Sequence, residues 1–290
     1  MNRFKPYIEV LPVVFIIMFV LIYGVFEAFL QSLGYFPVIG MKEISFRYYL
    51  EILNSKSFID GLKYSIYISV VSSLISILIG VLIAKIIIEI RKNTKKENEI
   101  VEWVYKLPII IPHITVSLFA IIFLSDTGVF SRILYNIGIK NSIHLFENIL
   151  YSSNGIGVIL AYIWKESPYI MLTVLAVLKR IDEKYEKTAI NLGATPWYAF
   201  RKVTIPILMP TILSTFTIIF AFSFGAYEIP FLLGSTVPKT LPIQAFIEYQ
   251  NPILSNRPLA MAINMVIILI SVIMVVLFNY IVKKLYKIDD

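Results

Sequence analysis

The chain has 290 residues, of which 58% are hydrophobic and only 16% charged. Soluble globular chains carry about 45–50% apolar and about 25% charged residues, so this composition, with a mean hydropathy of +0.79, predicts a membrane protein and excludes a disordered, collagen-like or disulfide-rich secreted chain. Cysteine is absent, which removes thiol catalysis and thiolate metal sites, and the formal charge of +7 must be located before it implies a partner.

A spanning helix needs roughly 20 mostly apolar residues. Six runs qualify: Val10–Leu30, Tyr64–Ile90, Trp103–Leu124, Ile156–Leu178, Ile207–Leu233 and Leu259–Val282. The expected fold class is therefore an all-α integral membrane protein, a single transmembrane domain over residues 1–290 with six spans. The first run follows a basic Met1–Pro6 but nears full spanning length and lacks a small-x-small cleavage site, so it reads as an uncleaved span. With six spans, both termini share one side. Arg91, Lys92, Lys95, Lys96, Lys179, Arg180, Lys184, Lys187, Arg201, Lys202, Lys283, Lys284 and Lys287 lie on that side with Arg3 and Lys5. They outnumber the basic residues of the opposite loops by roughly two to one, which predicts cytoplasmic termini. The positive charge is thus a topology signal, and no nucleic-acid site is expected.

The segment between spans four and five, residues 179–206, is longer than a hairpin needs. Ile181, Tyr185, Ala189 and Leu192 fall on one helical face. Gly193 occupies the position of a left-handed C-terminal cap, Thr195 can cap a following helix, and Pro196 suits its first turn. Trp197 and Phe200 lie at i, i+3 with Arg201 and Lys202 beside them, and Pro206 is expected to end or bend this second helix. Two short amphipathic helices with an elbow at Gly193 follow. Such a pair either lies on lipid headgroups or docks an aromatic face into a groove of a soluble partner.

The spacing Lys187-Thr188-Ala189, three residues, Gly193, nine residues, Val203-Thr204-Ile205-Pro206 resembles a cytoplasmic signature. It is that of ATP-binding-cassette importer permeases: Glu-Ala-Ala, three residues, Gly, nine residues, Ile-x-Leu-Pro. Lys187 stands where the family has glutamate, and Glu186 falls one residue early. The resemblance implies that Ala194 to Val203 is a coupling helix seated in a separate ATPase. It implies a coupling set of Glu186, Ala189, Gly193, Ala194, Trp197, Phe200 and Pro206, with Trp197 and Phe200 as anchors. It also implies a bacterial inner-membrane assembly of two permeases, same or homologous, two ATPases and an extracytoplasmic solute-binding protein. No cofactor is expected on this chain, because no glycine precedes a lysine as a phosphate loop requires. ATP and magnesium would sit on the ATPase, and catalytic residues are expected there only.

Ionisable groups inside spans are costly and often line a water-filled path. Lys165 and Glu166 lie in span four, next to Ser167 and Pro168. They read either as a charge pair satisfied locally or, for Glu166, as pathway lining. Span five ends Phe224-Gly-Ala-Tyr-Glu-Ile-Pro230, a weak helix whose Tyr227 and Glu228 could face a cavity or sit at the interface. The stretch from Glu228 through Leu241-Pro-Ile-Gln to Asn256-Arg-Pro-Leu-Ala-Met-Ala resembles permeases of the polyamine, ferric-iron and thiamine group. A spermidine- or putrescine-like cation is the favoured solute, with ferric iron, thiamine, phosphonate or a sugar as alternatives. His113, after Pro108 and Pro112, reads as a bend marker rather than a metal ligand. Ser69, Ser72, Ser73, Ser76 and Gly80 read as close helix packing. The rival functions are an ion-coupled secondary carrier using Glu166 and Glu228, and a non-transporting membrane scaffold.

Overall fold

The computed structural model describes residues 5–94, 99–181 and 183–286. Apart from an isolated bridge between Phe36 and Met41, its regular structure is helical. The helices are α1 (Lys5–Ser32), α2 (Arg47–Asn54), α3 (Lys56–Thr94), α4 (Glu99–Ile110), α5 (His113–Leu124), α6 (Val129–Asn136) and α7 (Ser142–Phe146). They continue with α8 (Ile156–Leu178), α9 (Glu183–Asn191), α10 (Pro196–Ala199), α11 (Ile205–Gly225), α12 (Glu228–Leu233), α13 (Leu241–Tyr249) and α14 (Arg257–Tyr286).

Among the described residues, six helical stretches are long and apolar enough to cross a membrane. Span four coincides with its predicted limits. Span two does not: α3 starts at Lys56 rather than Tyr64, because the helix continues past the apolar run through Asp60 and Lys63. The third run is broken. α4 stops at Ile110 and α5 restarts at His113, since Pro112 has no N–H to continue the ladder. The fifth run ends at Gly225, and α12 follows as a separate short helix.

The centre is the pair α3 and α8. Ser69, Ser72, Ser73 and Ser76 are fully or almost fully buried there. A Cβ on Gly80 would come within 2.7 Å of the Ile170 Cβ, so only glycine permits this approach. Around that pair lie three apolar cores. One joins Ile68, Val116, Val158, Tyr162 and Ile229. A second joins Val81, Ala84, Ile170, Val174, Phe200 and Leu208. A third joins Phe58, Phe216, Phe220, Leu241 and Ile263. α1 packs on α14 and otherwise leaves its apolar side chains exposed, as a lipid-facing helix does.

Candidate functional site

The elbow between spans four and five is built by backbone chemistry. Gly193 has φ +93°, a left-handed value that glycine adopts without strain. Its N–H donates to the Ile190 carbonyl at 2.9 Å, and the Ala194 N–H donates to the Ala189 carbonyl at 3.0 Å. Those two bonds close a Schellman cap and satisfy carbonyls that the end of α9 leaves orphaned. Thr195 Oγ1 then accepts from the Tyr198 N–H at 3.3 Å and starts α10, with Pro196 in its first turn. Ala189, Gly193 and Ala194 therefore act through main-chain geometry.

Two expectations for this segment are corrected. Pro206 does not end the second helix. A π-helical turn over Phe200–Thr204 carries α10 into α11 without interruption, and Pro206 sits in the first turn of α11. The wider turn shifts the hydrogen-bond register just before Pro206, which has no N–H to give. Phe200, expected as a surface anchor, is only 4% exposed and belongs to the core of α3, α8 and α11. Trp197 is 55% exposed, and its ring stacks on Phe200 at 5.8 Å between centroids. Tyr185, Leu192 and Tyr198 are exposed on the same elbow. The displayed apolar surface is thus Tyr185, Leu192, Trp197 and Tyr198, backed by a buried Phe200. Glu186 is partly buried and lines a cavity behind the elbow.

Within the spans, the neighbours Lys165 and Glu166 separate. The charge-pair reading is replaced by two independent sites, because consecutive helical residues point about 100° apart. Glu166 is 4% exposed and faces the interior, not the surface. It accepts from Ser76 Oγ of α3 at 3.4 Å and from Ser223 Oγ of α11. One carboxyl of α8 thereby ties three spans together. Tyr162 Oη, one turn earlier, donates to the Ser223 carbonyl at 3.4 Å and extends the same network.

Lys165 points to the break in the third run. Its Nζ donates to the carbonyls of Pro108, Ile109 and Ile111 at 2.7, 3.0 and 2.5 Å. The last carbonyls of α4 have no helical partner, and an ammonium offers three donors and a charge that opposes the helix dipole. Sequence reading did not assign this role. The signal was Pro108 and Pro112 four residues apart in an apolar run, which leaves carbonyls at membrane depth in need of a donor.

His113 opens α5 beside this cap, with its ring 4.9 Å from Phe222 of α11 and within electrostatic range of Lys165 and Glu228. Glu228 is half-buried at the start of α12. Tyr227, just before it, stacks on Phe246 of α13 at 5.1 Å and lines a cleft of about 430 Å³ with Tyr249, Met261 and Asn264. His113 thus stands near Lys165 and Glu228, and Tyr227, the sequence neighbour of Glu228, lines the aromatic cleft.

A family model, the binding-protein-dependent transport system inner membrane component, matches residues 76–287. The chain belongs to this family. The matched region runs from the serine-rich part of α3 through the elbow to the end of α14, so it contains every site described above. The probable sulfate transport system permease protein cysT of Chlorella vulgaris is 31% identical over 124 residues, covering 43% of this chain and 47% of the relative. The sulfate transport system permease protein CysT of Escherichia coli is 31% identical over 134 residues, covering 45% of this chain and 47% of the relative. The chain therefore matches about half the length of these curated relatives. A chain in the crystal structure of the bacterial alginate ABC transporter in complex with alginate pentasaccharide-bound periplasmic protein superposes with a TM-score of 0.76. It is 21% identical and the match covers 98% of both chains, a likeness of fold. The all-helical importer-permease fold expected from the resemblance is the fold found.

Proposed function

We propose that this chain is the membrane subunit of an ATP-driven importer, set in a bacterial inner membrane with both termini and the elbow cytoplasmic. A separate pair of ATPase subunits binds ATP and magnesium, a second permease subunit completes the pore, and an extracytoplasmic binding protein delivers the solute. The elbow carries this reading: an exposed Trp197, set by a Schellman cap at Gly193, stands on a helix continuous with span five. A displacement of Trp197 must move α11, since no loop intervenes to absorb it. Closure of the ATPases on ATP pushes the elbow, α11 moves together with α3 and α8, to which it is tied through Glu166, and the solute path opens outward. Hydrolysis resets it.

The solute path runs past His113 and Glu228 and leads from the aromatic cleft at Tyr227. For the solute itself, a sulfate-like oxyanion is the first to test, because two relatives at 31% identity are named for sulfate. A polyamine draws no support from those names and serves as the contrasting ligand. The experiment is purification of the tagged chain in mild detergent, identification of the chains that accompany it, and reconstitution in vesicles. Stoichiometric recovery of an ATPase with a phosphate loop, and ATP-dependent sulfate accumulation, is the expected result. A chain that purifies alone and moves solute down an ion gradient refutes the proposal.

A further inference from the structure

Behind the elbow, α9 and α10 pack on each other and on the π turn that leads into α11, whereas toward α3 a cavity of about 190 Å³ intervenes. Its wall includes Glu89, Lys179, Tyr185, Glu186 and Thr204. Lys85 of α3 reaches across this space. Its side chain is 12% exposed, with Nζ 4.6 Å from the centroid of Trp197 and 4.4 Å from that of Phe200. Glu89, one turn on, lies 3.5 Å from the same Nζ and offsets its charge. An ammonium over aromatic faces is held by the ring quadrupole, and the attraction strengthens where water is excluded.

We propose that Lys85 is a positioning residue that ties the coupling elbow to span two. Inside the permease Trp197 meets the Lys85 ammonium and the Phe200 ring, and its exposed remainder is left for a partner. Motion imposed on Trp197 is then delivered to α3 through Lys85 as well as to α11 through the continuous helix. α3 packs closely on α8 across Gly80 and Ile170, so the spans that hold the Glu166 network are driven together. This inference rests on the proposed role of the elbow in ATPase coupling.

The test uses the full transporter in proteoliposomes and reads solute moved per ATP hydrolysed. Lys85→Met keeps the length and the apolar stem and removes the cation; it should lower that ratio about tenfold while the ATPase still co-purifies. Lys85→Arg keeps a cation that stacks on aromatic faces and should stay within about twofold of the unsubstituted protein. Trp197→Leu should lower the ratio as well. The double variant should lose less than the product of the two single losses, because both substitutions remove the Lys85–Trp197 contact. An unchanged ratio in Lys85→Met, or losses that multiply in the double variant, overturns the clamp. Equal losses in Lys85→Met and Lys85→Arg overturn it too, since the cation would not be what matters. An unsubstituted chain that recovers no ATPase overturns the elbow reading and the clamp with it, and is told apart because it needs no substitution.

Discussion

Replacing Gly193 separates backbone strain from lost space. Gly193 holds φ +93°, and a Cβ built on it meets nothing within 4 Å inside the chain. Substitution therefore costs conformational energy only. An L-residue in the left-handed region loses roughly 1–2 kcal/mol, asparagine loses least, and a β-branched residue loses most. Without the turn, the Ala189 and Ile190 carbonyls lose the N–H groups of Ala194 and Gly193, which adds about 1 kcal/mol per bond. Gly193→Asn should thus retain most transport. Gly193→Ala should lose several-fold, because about 1 kcal/mol is a factor of five. Gly193→Val should lose about thirtyfold or more, from about 2 kcal/mol. The assay is ATP-dependent uptake normalised to the amount of protein in the membrane, with ATPase retention on the purified chain as a second readout. Equal losses for Asn, Ala and Val would refute the reasoning. They would mean that a partner fills the space beside Gly193 and that bulk, not φ, is what the site rejects.

Four further predictions follow from side chains with distinct surroundings. Phe200→Ala should empty part of the core and lower the apparent melting temperature in detergent, at a cost of about 3–5 kcal/mol, whereas Trp197→Ala should leave that temperature nearly unchanged and reduce ATPase retention. Lys165→Met leaves the carbonyls of Pro108, Ile109 and Ile111 without their donor and should destabilise by at least about 2 kcal/mol, seen as a lower melting temperature and faster proteolysis between α4 and α5. Glu166→Gln keeps an acceptor for Ser76 and Ser223 and should retain transport, while Glu166→Ala removes the acceptor the two hydroxyls share, leaving Ser223 its Ile219 carbonyl, and should cost about 1–3 kcal/mol; loss of uptake in a stable Glu166→Gln would place that carboxyl on the transport path. Glu228→Gln should change the concentration dependence of uptake with no loss of stability, and unaltered kinetics would remove it from the path.

The spans were legible because lipid demands long apolar runs, and span four was bounded correctly at Ile156 and Leu178. Hydropathy reports where lipid lies, however, and not where a helix stops. That is why the apolar run begins at Tyr64 while α3 begins at Lys56, and why the bend expected near Pro108 and Pro112 is a full break between Ile110 and His113. The elbow was legible because glycine, threonine and proline act locally, through φ, a hydroxyl and a missing N–H. Which way a side chain points within the bundle is a tertiary fact. Phe200 and Trp197 have similar character and lie one helical turn apart, yet one is 4% and the other 55% exposed.

The same distinction explains why Lys165 and Glu166 defeated the sequence reading. A charged pair at consecutive positions invites assignment to one site, but a helix sends neighbours to different faces. Each group instead answers a local shortage of partners: the carboxyl gathers hydroxyls from α3 and α11 in a dry core, and the ammonium closes the carbonyls of a helix broken by proline. Both residues therefore hold spans in place, and under the proposed function the groups left to meet a solute are His113, Tyr227 and Glu228. A transporter needs rigid blocks that move as units and a lining that touches the solute. The buried Glu166 network, the Lys165 cap and the close approach at Gly80 supply the first, and under the proposed function the elbow at Gly193, continuous with α11, is where the ATPase stroke enters.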